Sequence, residues 1–303
     1  MLDATELFGY AASLYGLRWM NNDVVIRMSL YYIFVYIITE GVKAWKRIYM
    51  ENDFKFNLAL KFIGLSVSSI LAIFVSFEIE YYIPVMFTLS AIFLVIQTMT
   101  IINLSFDLTM ELIENNFFMI VGLSVIGYSA IIGYCIYHLI NEVNIFLIVH
   151  LLLLSLLTVL SILPKIQEKI SCSGLLSSCI VGLQATFLLV GTITSGALNE
   201  TVLVVGLIIN ILSLIRSVLK HATSWNHPLI YHFIILLSLS YFASIITNWD
   251  SSAGIYDVGK SEVGFWIKVG CSWFTFVLYG YCLLAPLLFP QRDFGYQSDT
   301  STF

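Results

Sequence analysis

Pro164-Lys165-Ile166-Gln167-Glu168, followed shortly by Ser173-Gly174-Leu175-Leu176, is the polar interruption on which the reading of this chain turns. Residues 143–163 before it contain no Asp, Glu, Lys or Arg, and neither do residues 175–190 after it. So short a polar stretch between two such runs reads as a tight turn at a membrane surface. Its lysines, Lys165 and Lys169, choose the surface, because short loops bearing Lys or Arg stay on the cytoplasmic side.

Composition agrees with that reading. Of 303 residues, 59% are hydrophobic and 11% charged, and the mean hydropathy is +0.92. Soluble domains run near 45–50% apolar and about 25% charged, and no globule has enough interior to hide the excess. The expected fold is all-α, a polytopic transmembrane helix bundle. A net charge of -5 supplies no basic patch, so nucleic acid is not an expected partner.

A spanning helix needs about 20 mainly apolar residues. That rule gives about nine spans: 25–42, 57–77, 82–104, 117–139, 143–163, 173–195, 201–219, 229–248 and 263–289. Pro286 marks the place where the last would bend. Residues 2–22 carry an amphipathic stretch (Leu7, Phe8, Tyr10, Ala11, Leu14, Tyr15) that is too polar to span and is expected along the membrane interface. The chain therefore divides into an interfacial segment (1–24), a transmembrane domain (25–290) and a tail (291–303). Lys43, Lys46, Arg47 and Lys55 follow the first span, Lys165 and Lys169 the fifth, and Arg216, Lys220 and His221 the seventh. Nine spans put all three groups on one side, which the positive-inside rule makes cytoplasmic. The N-terminus is then lumenal or extracellular and the C-terminus cytoplasmic. The third connection, with Asp107, Glu111 and Glu114, falls on the same side without a positive charge.

The quoted stretch, Pro164 to Glu168 with Gly174, resembles the serine incorporator family (SERINC, or TMS/TDE membrane proteins). The C-terminal third resembles it independently through Tyr231-His232-Phe233, Thr247-Asn248-Trp249, Trp266-Ile267-Lys268-Val269, Ser272-Trp273, Leu278-Tyr279, Ala285-Pro286-Leu287 and Arg292-Asp293-Phe294. Val25-Ile26-Arg27-Met28-Ser29 and Phe93-Leu94-Val95-Ile96-Gln97 are weaker matches. The family resembles a ten-helix protein with both termini cytoplasmic and a cysteine-rich opening. Against that pattern this chain is expected to lack the first helix and to be shortened in two loops, near 196–200 and 220–228. The resemblance implies a role in supplying serine to phosphatidylserine and sphingolipid synthesis, in ATP-independent phospholipid scrambling, or in both. It implies membrane lipids as partners, with serine and lipid-synthesis enzymes as further ones, in an endomembrane or the plasma membrane.

No catalytic motif of soluble enzymes is present: there is no Gly-rich phosphate loop, no His-Glu-x-x-His and no Gly-x-Ser-x-Gly. The chain is expected not to be an enzyme and to need no cofactor or metal. The histidines (His138, His150, His221, His227, His232) are scattered, and hydrogen bonding near a helix start is the expected role of the last two. The five cysteines, Cys135, Cys172, Cys179, Cys271 and Cys282, show no C-x-x-C pairing and are expected as free, mostly buried thiols. Asn199-Glu200-Thr201 is a glycosylation sequon too close to helix ends to be modified. Ser129 with Gly133 has the four-residue spacing of close helix packing.

Polar groups inside a membrane mark the functional candidates, because each costs free energy in hydrocarbon. They are Glu40, Lys61, Gln97, Asn103, Asp107, His150, Gln184, Asn210 and Arg216. Glu40, Lys61, Asp107 and Arg216 lie near span ends, where they snorkel. Gln97, Gln184 and Asn210 lie deeper. Two roles are open for these three: interhelical hydrogen bonding, or a polar track along which a lipid headgroup or substrate moves. A secondary carrier for serine is the alternative function, weakened by prolines that all fall near helix ends and by the absence of a clear repeat. A scaffold for lipid-synthesis enzymes is a third, weakened by short loops.

Overall fold

The computed structural model describes residues 2–18, 22–49, 54–75, 81–115, 117–141, 144–193, 211, 228–247 and 262–289. Every regular element among them is an α-helix: α1 (Leu2–Arg18), α2 (Asn22–Tyr49), α3 (Phe54–Phe74), α4 (Tyr82–Asn115), α5 (Phe117–Asn141), α6 (Ile145–Ile162), α7 (Pro164–Gln167), α8 (Leu175–Ile193), α9 (Pro228–Ile246) and α10 (Glu262–Leu288). Among the described residues, five segments are long and apolar enough to cross a bilayer: Asp23–Val42, Tyr82–Ile113, Phe118–Ile140, Ile145–Ile162 and Gly264–Leu288. Ile63–Phe74, Leu175–Leu189 and His232–Ile246 are shorter apolar stretches of α3, α8 and α9. The expected span at 201–219, with Asn210 and Arg216, lies outside the described residues except for Ile211.

Two expected loops are helical. The acidic third connection, 105–116, is the continuation of α4 to Asn115, and Lys43, Lys46 and Arg47 ride on α2, which runs to Tyr49. Nothing in either stretch breaks a helix: charged residues end a membrane span but not the helical hydrogen bonds, and no Gly or Pro intervenes. At 1.5 Å per residue α4 is about 51 Å long, well beyond the hydrocarbon thickness of about 30 Å.

The chain forms two compact units. Unit 1 holds α1, α2, α3, α9 and α4 up to Leu94; unit 2 holds α4 from Val95, then α5 to α8, and α10 from Trp266. In unit 1, α2 packs on α1, α3 and α9. Gly64 allows the α2–α3 approach, since a Cβ there would sit 2.7 Å from Val35 Cγ1. The amphipathic stretch is α1, and its apolar stripe is packed into unit 1. Tyr10, Ala11 and Leu14 are buried, Tyr10 stacks on Tyr32 at 4.8 Å, and its hydroxyl donates to Leu239 O at 3.2 Å. Tyr10, Ala11 and Leu14 thus turn toward α2 and α9, and the buried phenol keeps a hydrogen-bond acceptor there.

In unit 2, α8 packs against both α5 and α6. The close-packing glycines differ from the expected pair. Ser129 and Gly133 are exposed, and a Cβ on Gly133 would meet nothing. Instead a Cβ on Gly127 would collide with Cys179 Sγ, and one on Gly182 would lie 2.5 Å from Leu154 Cδ1. Four-residue spacing identifies a smooth face but not the face a neighbour uses.

The quoted stretch is the turn it was expected to be. A residue before proline is driven out of the α region; Leu163 accordingly adopts φ -57, ψ 128 and ends α6. Pro164 then starts α7 at a position where its missing N–H costs nothing. Ile166 and Ile170 point inward, while Lys165, Gln167, Glu168 and Lys169 are exposed. Gly174 opens α8: its carbonyl accepts from Ser178 N at 3.2 Å, and its N–H donates to Ser177 Oγ at 3.1 Å. The first is the opening bond of the helix, and the second gives the N–H of the residue before α8 a side-chain acceptor.

Candidate functional site

Serine and threonine are poor markers of a site in a membrane helix, because their hydroxyls reach the carbonyl three or four residues back. Thr186 donates to Gly182 O at 2.7 Å, Thr275 to Cys271 O at 2.8 Å and Ser90 to Met86 O at 2.6 Å. A glutamine or histidine side chain has no such local outlet. Where it stands is therefore informative.

His150, on α6, is fully buried. Its Nε2 lies 2.9 Å from Thr186 Oγ1 of α8 and its Nδ1 lies 3.4 Å from Ser272 Oγ of α10. Ser272 itself donates to Ala185 O at 2.9 Å. Thr186 commits its proton to a backbone carbonyl and offers the imidazole an acceptor, whereas Ser272 can share its proton between Ala185 O and Nδ1. A neutral ring has one N–H. The shorter contact assigns it to Nε2, leaving Nδ1 as an acceptor facing Ser272. Phe276 closes the ring from the side, with centroids 4.9 Å apart.

One turn along α10, Thr275 Oγ1 lies 3.3 Å from Thr98 Oγ1 of α4. The neighbour of Thr98 in the chain is Gln97, and the neighbour of Ala185 is Gln184. Gln97 and Gln184 are thus next in sequence to residues that touch the Ser272–Thr275 tract. Gln97 is 4% exposed and Gln184 5% exposed. Among the described residues none pairs with Nε2 or Oε1 of Gln97, with Nε2 of Gln184, or with the buried Nε1 of Trp273, next to Ser272. Unit 2 thus holds buried polar contacts that join α6, α8 and α10 at His150 and Ser272, and α4 to α10 at Thr98 and Thr275.

A second network lies at the start of α8 and is closed. Tyr128 OH is 2.8 Å from both Thr158 Oγ1 and Ser178 Oγ. Ser161 donates to Gly174 O at 3.1 Å, and Tyr279 OH lies 3.0 Å from Ser177 Oγ. Gly174 is the centre of this network, and the exposed Lys165, Gln167 and Glu168 take no part in it. Cys172 lies beside it and is buried; burial pushes its thiol up to about 11 and keeps it protonated. All five cysteines are free.

In unit 1, Tyr36 OH lies 2.9 Å from His232 Nδ1, and His232 Nε2 lies 3.8 Å from Glu40 Oε2. Glu40 therefore faces an imidazole. Of the other candidates, Asn103 is exposed and Asp107 half-buried. Asn210, Arg216, His221, His227, Asn248, Trp249, Arg292, Asp293 and the sequon at Asn199 lie outside the described residues. No group of three His, Cys, Asp or Glu suited to a metal occurs among the described residues.

Sequence reasoning found Gln97, Gln184 and His150 as polar groups in apolar runs, and Ser272-Trp273 through the resemblance. It missed Thr98, Thr186, Thr275, Tyr128 and Ser178, which nothing in the sequence separates from ordinary hydroxyls in a membrane helix.

Comparison with known proteins agrees with this architecture. The profile of the family described as serine incorporator (Serinc) matches residues 23–206 and 215–292. A probable serine incorporator of Nematostella vectensis is 41% identical over 68 residues, 22% of this chain and 15% of that protein. One of Monosiga brevicollis is 35% identical over 72 residues, 24% of this chain and 14% of that protein. Serine incorporator 2 of Mus musculus is 34% identical over 65 residues, 22% of this chain and 14% of that protein. These local matches span about a seventh of each relative's length, whereas the profile follows most of the chain through both units. With a helical bundle carrying several membrane-length apolar segments, this is a multi-pass membrane protein that belongs to the serine incorporator family.

Proposed function

We propose that the protein handles membrane lipid without an energy source, moving phospholipid headgroups across the bilayer or supporting synthesis of the serine-derived lipids phosphatidylserine and sphingolipid. The observation that carries this reading is the pair of buried carboxamides on α4 and α8: Gln97, with neither polar atom paired, and Gln184, with its nitrogen unpaired. Leaving a buried polar group unpaired costs about 1–3 kcal/mol. For packing alone, leucine would serve better at either position. A headgroup crossing hydrocarbon loses its hydration, and polar side chains that replace part of it lower the barrier. No covalent chemistry is assigned to the protein.

A second reading, a carrier for serine itself, is favoured by one feature. Gln97 and Gln184 are buried within unit 2 rather than exposed toward lipid, as an enclosed solute site requires. The relatives' names, serine incorporators, point to the same solute.

Flipping of fluorescent phosphatidylserine in proteoliposomes separates the two. Fast ATP-independent flipping, slowed in Gln97→Leu and Gln184→Leu, supports lipid handling. Serine uptake without flipping supports the carrier. Neither activity from folded protein ends both readings.

A further inference from the structure

An imidazole held between a phenol and a carboxylate joins two helices of unit 1. His232 stands in the second turn of α9, and Tyr36 and Glu40 stand one turn apart on α2, which packs against it. Tyr36 OH lies 2.9 Å from Nδ1 and Glu40 Oε2 lies 3.8 Å from Nε2, so the two partners address opposite nitrogens of one ring. Tyr36 is buried, while the His232 and Glu40 side chains are 34% and 20% exposed, and water can deliver a proton to the ring. A carboxylate only accepts, so in the neutral ring Nε2 carries the N–H toward Glu40 and Nδ1 accepts from the phenol. The gap to Glu40 is too long for a hydrogen bond. A second proton changes all three groups at once. It enters at Nδ1, so the phenol turns from donor to acceptor, and the ring becomes a cation facing Glu40. Charge-assisted N–H···O bonds close at about 2.7–2.9 Å, well short of the present separation. Each of the three residues also holds a further interaction.

The remaining ionisable groups nearby are few. α9 carries no Asp, Glu, Lys or Arg. On α2 the other described ones, Asp23, Arg27, Tyr31 and Tyr32, precede Tyr36 by a turn or more. α1 offers Tyr10, bonded to Leu239 O, and Tyr15; α3 offers none from Ile63 to Phe74. The part of α4 in unit 1 offers Tyr82, which faces Ser29. The side chains of Asp3, Glu6, Lys43, Lys61 and Tyr231 lie outside the described residues.

We propose that His232 is a proton-operated latch between α2 and α9: protonation of the ring draws Glu40 in, deprotonation releases it, and Tyr36 is the positioning residue that holds Nδ1. Imidazole is the side chain whose charge changes near neutral pH. Low pH therefore fastens the first turns of α9 to α2, and rising pH frees them. His150 is built differently, since the groups placed around its ring are two hydroxyls and Phe276. The inference goes beyond the lipid-handling and carrier readings and depends on neither.

The test is hydrogen–deuterium exchange, read by mass spectrometry on the full chain in nanodiscs at about pH 5.5 and about pH 8, on either side of the ordinary imidazole range. Rates are corrected for the pH dependence of free amides. Peptides covering residues 232–236 should be about threefold better protected at the lower pH, the size expected of a half-exposed ion pair. Glu40→Gln keeps the shape and removes the charge, and it should abolish the difference. His232→Gln should do the same; if that variant does not fold, Glu40→Gln decides alone. Tyr36→Phe is read by nitrogen-15 NMR of histidine-labelled protein, where the neutral ring should lose its preference for the Nε2–H tautomer, an effect that packing by Tyr36 alone would not produce. Equal corrected protection at the two pH values overturns the proposal, as does a pH difference that survives Glu40→Gln. A tautomer unchanged in Tyr36→Phe overturns the role given to Tyr36.

Discussion

The two ends of one helix behave differently. At the start of α8, every hydroxyl drawn to Gly174 has a partner, and Tyr128 and Tyr279 seal the network from α5 and α10. Two to three turns later, at Gln184–Thr186, the same helix meets His150 and Ser272 but leaves a carboxamide nitrogen without one. Both regions are buried and belong to unit 2. The stretch that carries the family resemblance most visibly is thus the closed one, where residues are fixed by a turn. The open one is marked by single polar residues. Resemblance located the scaffold, and unpaired groups located the candidate site.

Four experiments break or sharpen this contrast. His150→Ala should have the largest effect: removing a fully buried ring leaves a cavity, costing roughly 2–4 kcal/mol, read as a drop in thermal unfolding temperature in detergent. A change below the error of that measurement would mean α6, α8 and α10 are not joined at this point. Next, Gln97→Leu should raise stability by about 1–3 kcal/mol, because it removes a buried group with no partner, while lowering lipid flipping or solute binding. Loss of stability instead would show that the carboxamide is paired and that its surroundings are as closed as the turn. Tyr128→Phe should lower stability by about 0.6–2 kcal/mol and leave flipping unchanged; a selective loss of flipping would reverse the roles of the two regions.

The smallest effect concerns Cys172, outside the apolar helices. Its thiol is raised by burial to about 11, so the folded state holds this proton more tightly than the unfolded chain does. Its contribution to stability is complete below the unfolded value near 9 and declines as pH rises through the window toward 11. Maleimide labelling at pH 8 should therefore be slow in the native protein and fast once it is unfolded. Rapid native labelling would show that the turn opens.

Much of the fold was legible because apolar runs of bilayer length have few alternatives. The run that ends at Leu163 shows its own boundary through Pro164. The ends of α2 and α4 were not legible, since Lys43–Arg47 and Asp107–Glu114 change where a membrane stops without changing where a helix stops. The site was half legible. Gln97, Gln184 and His150 stand out because they have no local hydrogen-bonding outlet, while Thr98, Thr186 and Thr275 hide among hydroxyls satisfied by their own helices. Gly127 and Gly182 were missed for a related reason: a glycine matters through what stands opposite it, which spacing along one helix does not record.

The break at Leu163 and Pro164 also bears on how the protein is made. α6 and α8 are joined by only a dozen residues, with Ile166 and Ile170 buried beneath the turn. Ser161, near the end of α6, bonds to Gly174 O and Ser178 Oγ at the start of α8. Contacts so near in sequence cost little loop-closure entropy and form early. The pair is therefore suited to leave the translocon as one helical hairpin, its base already fastened, and to serve as the template on which α5 and α10 later settle.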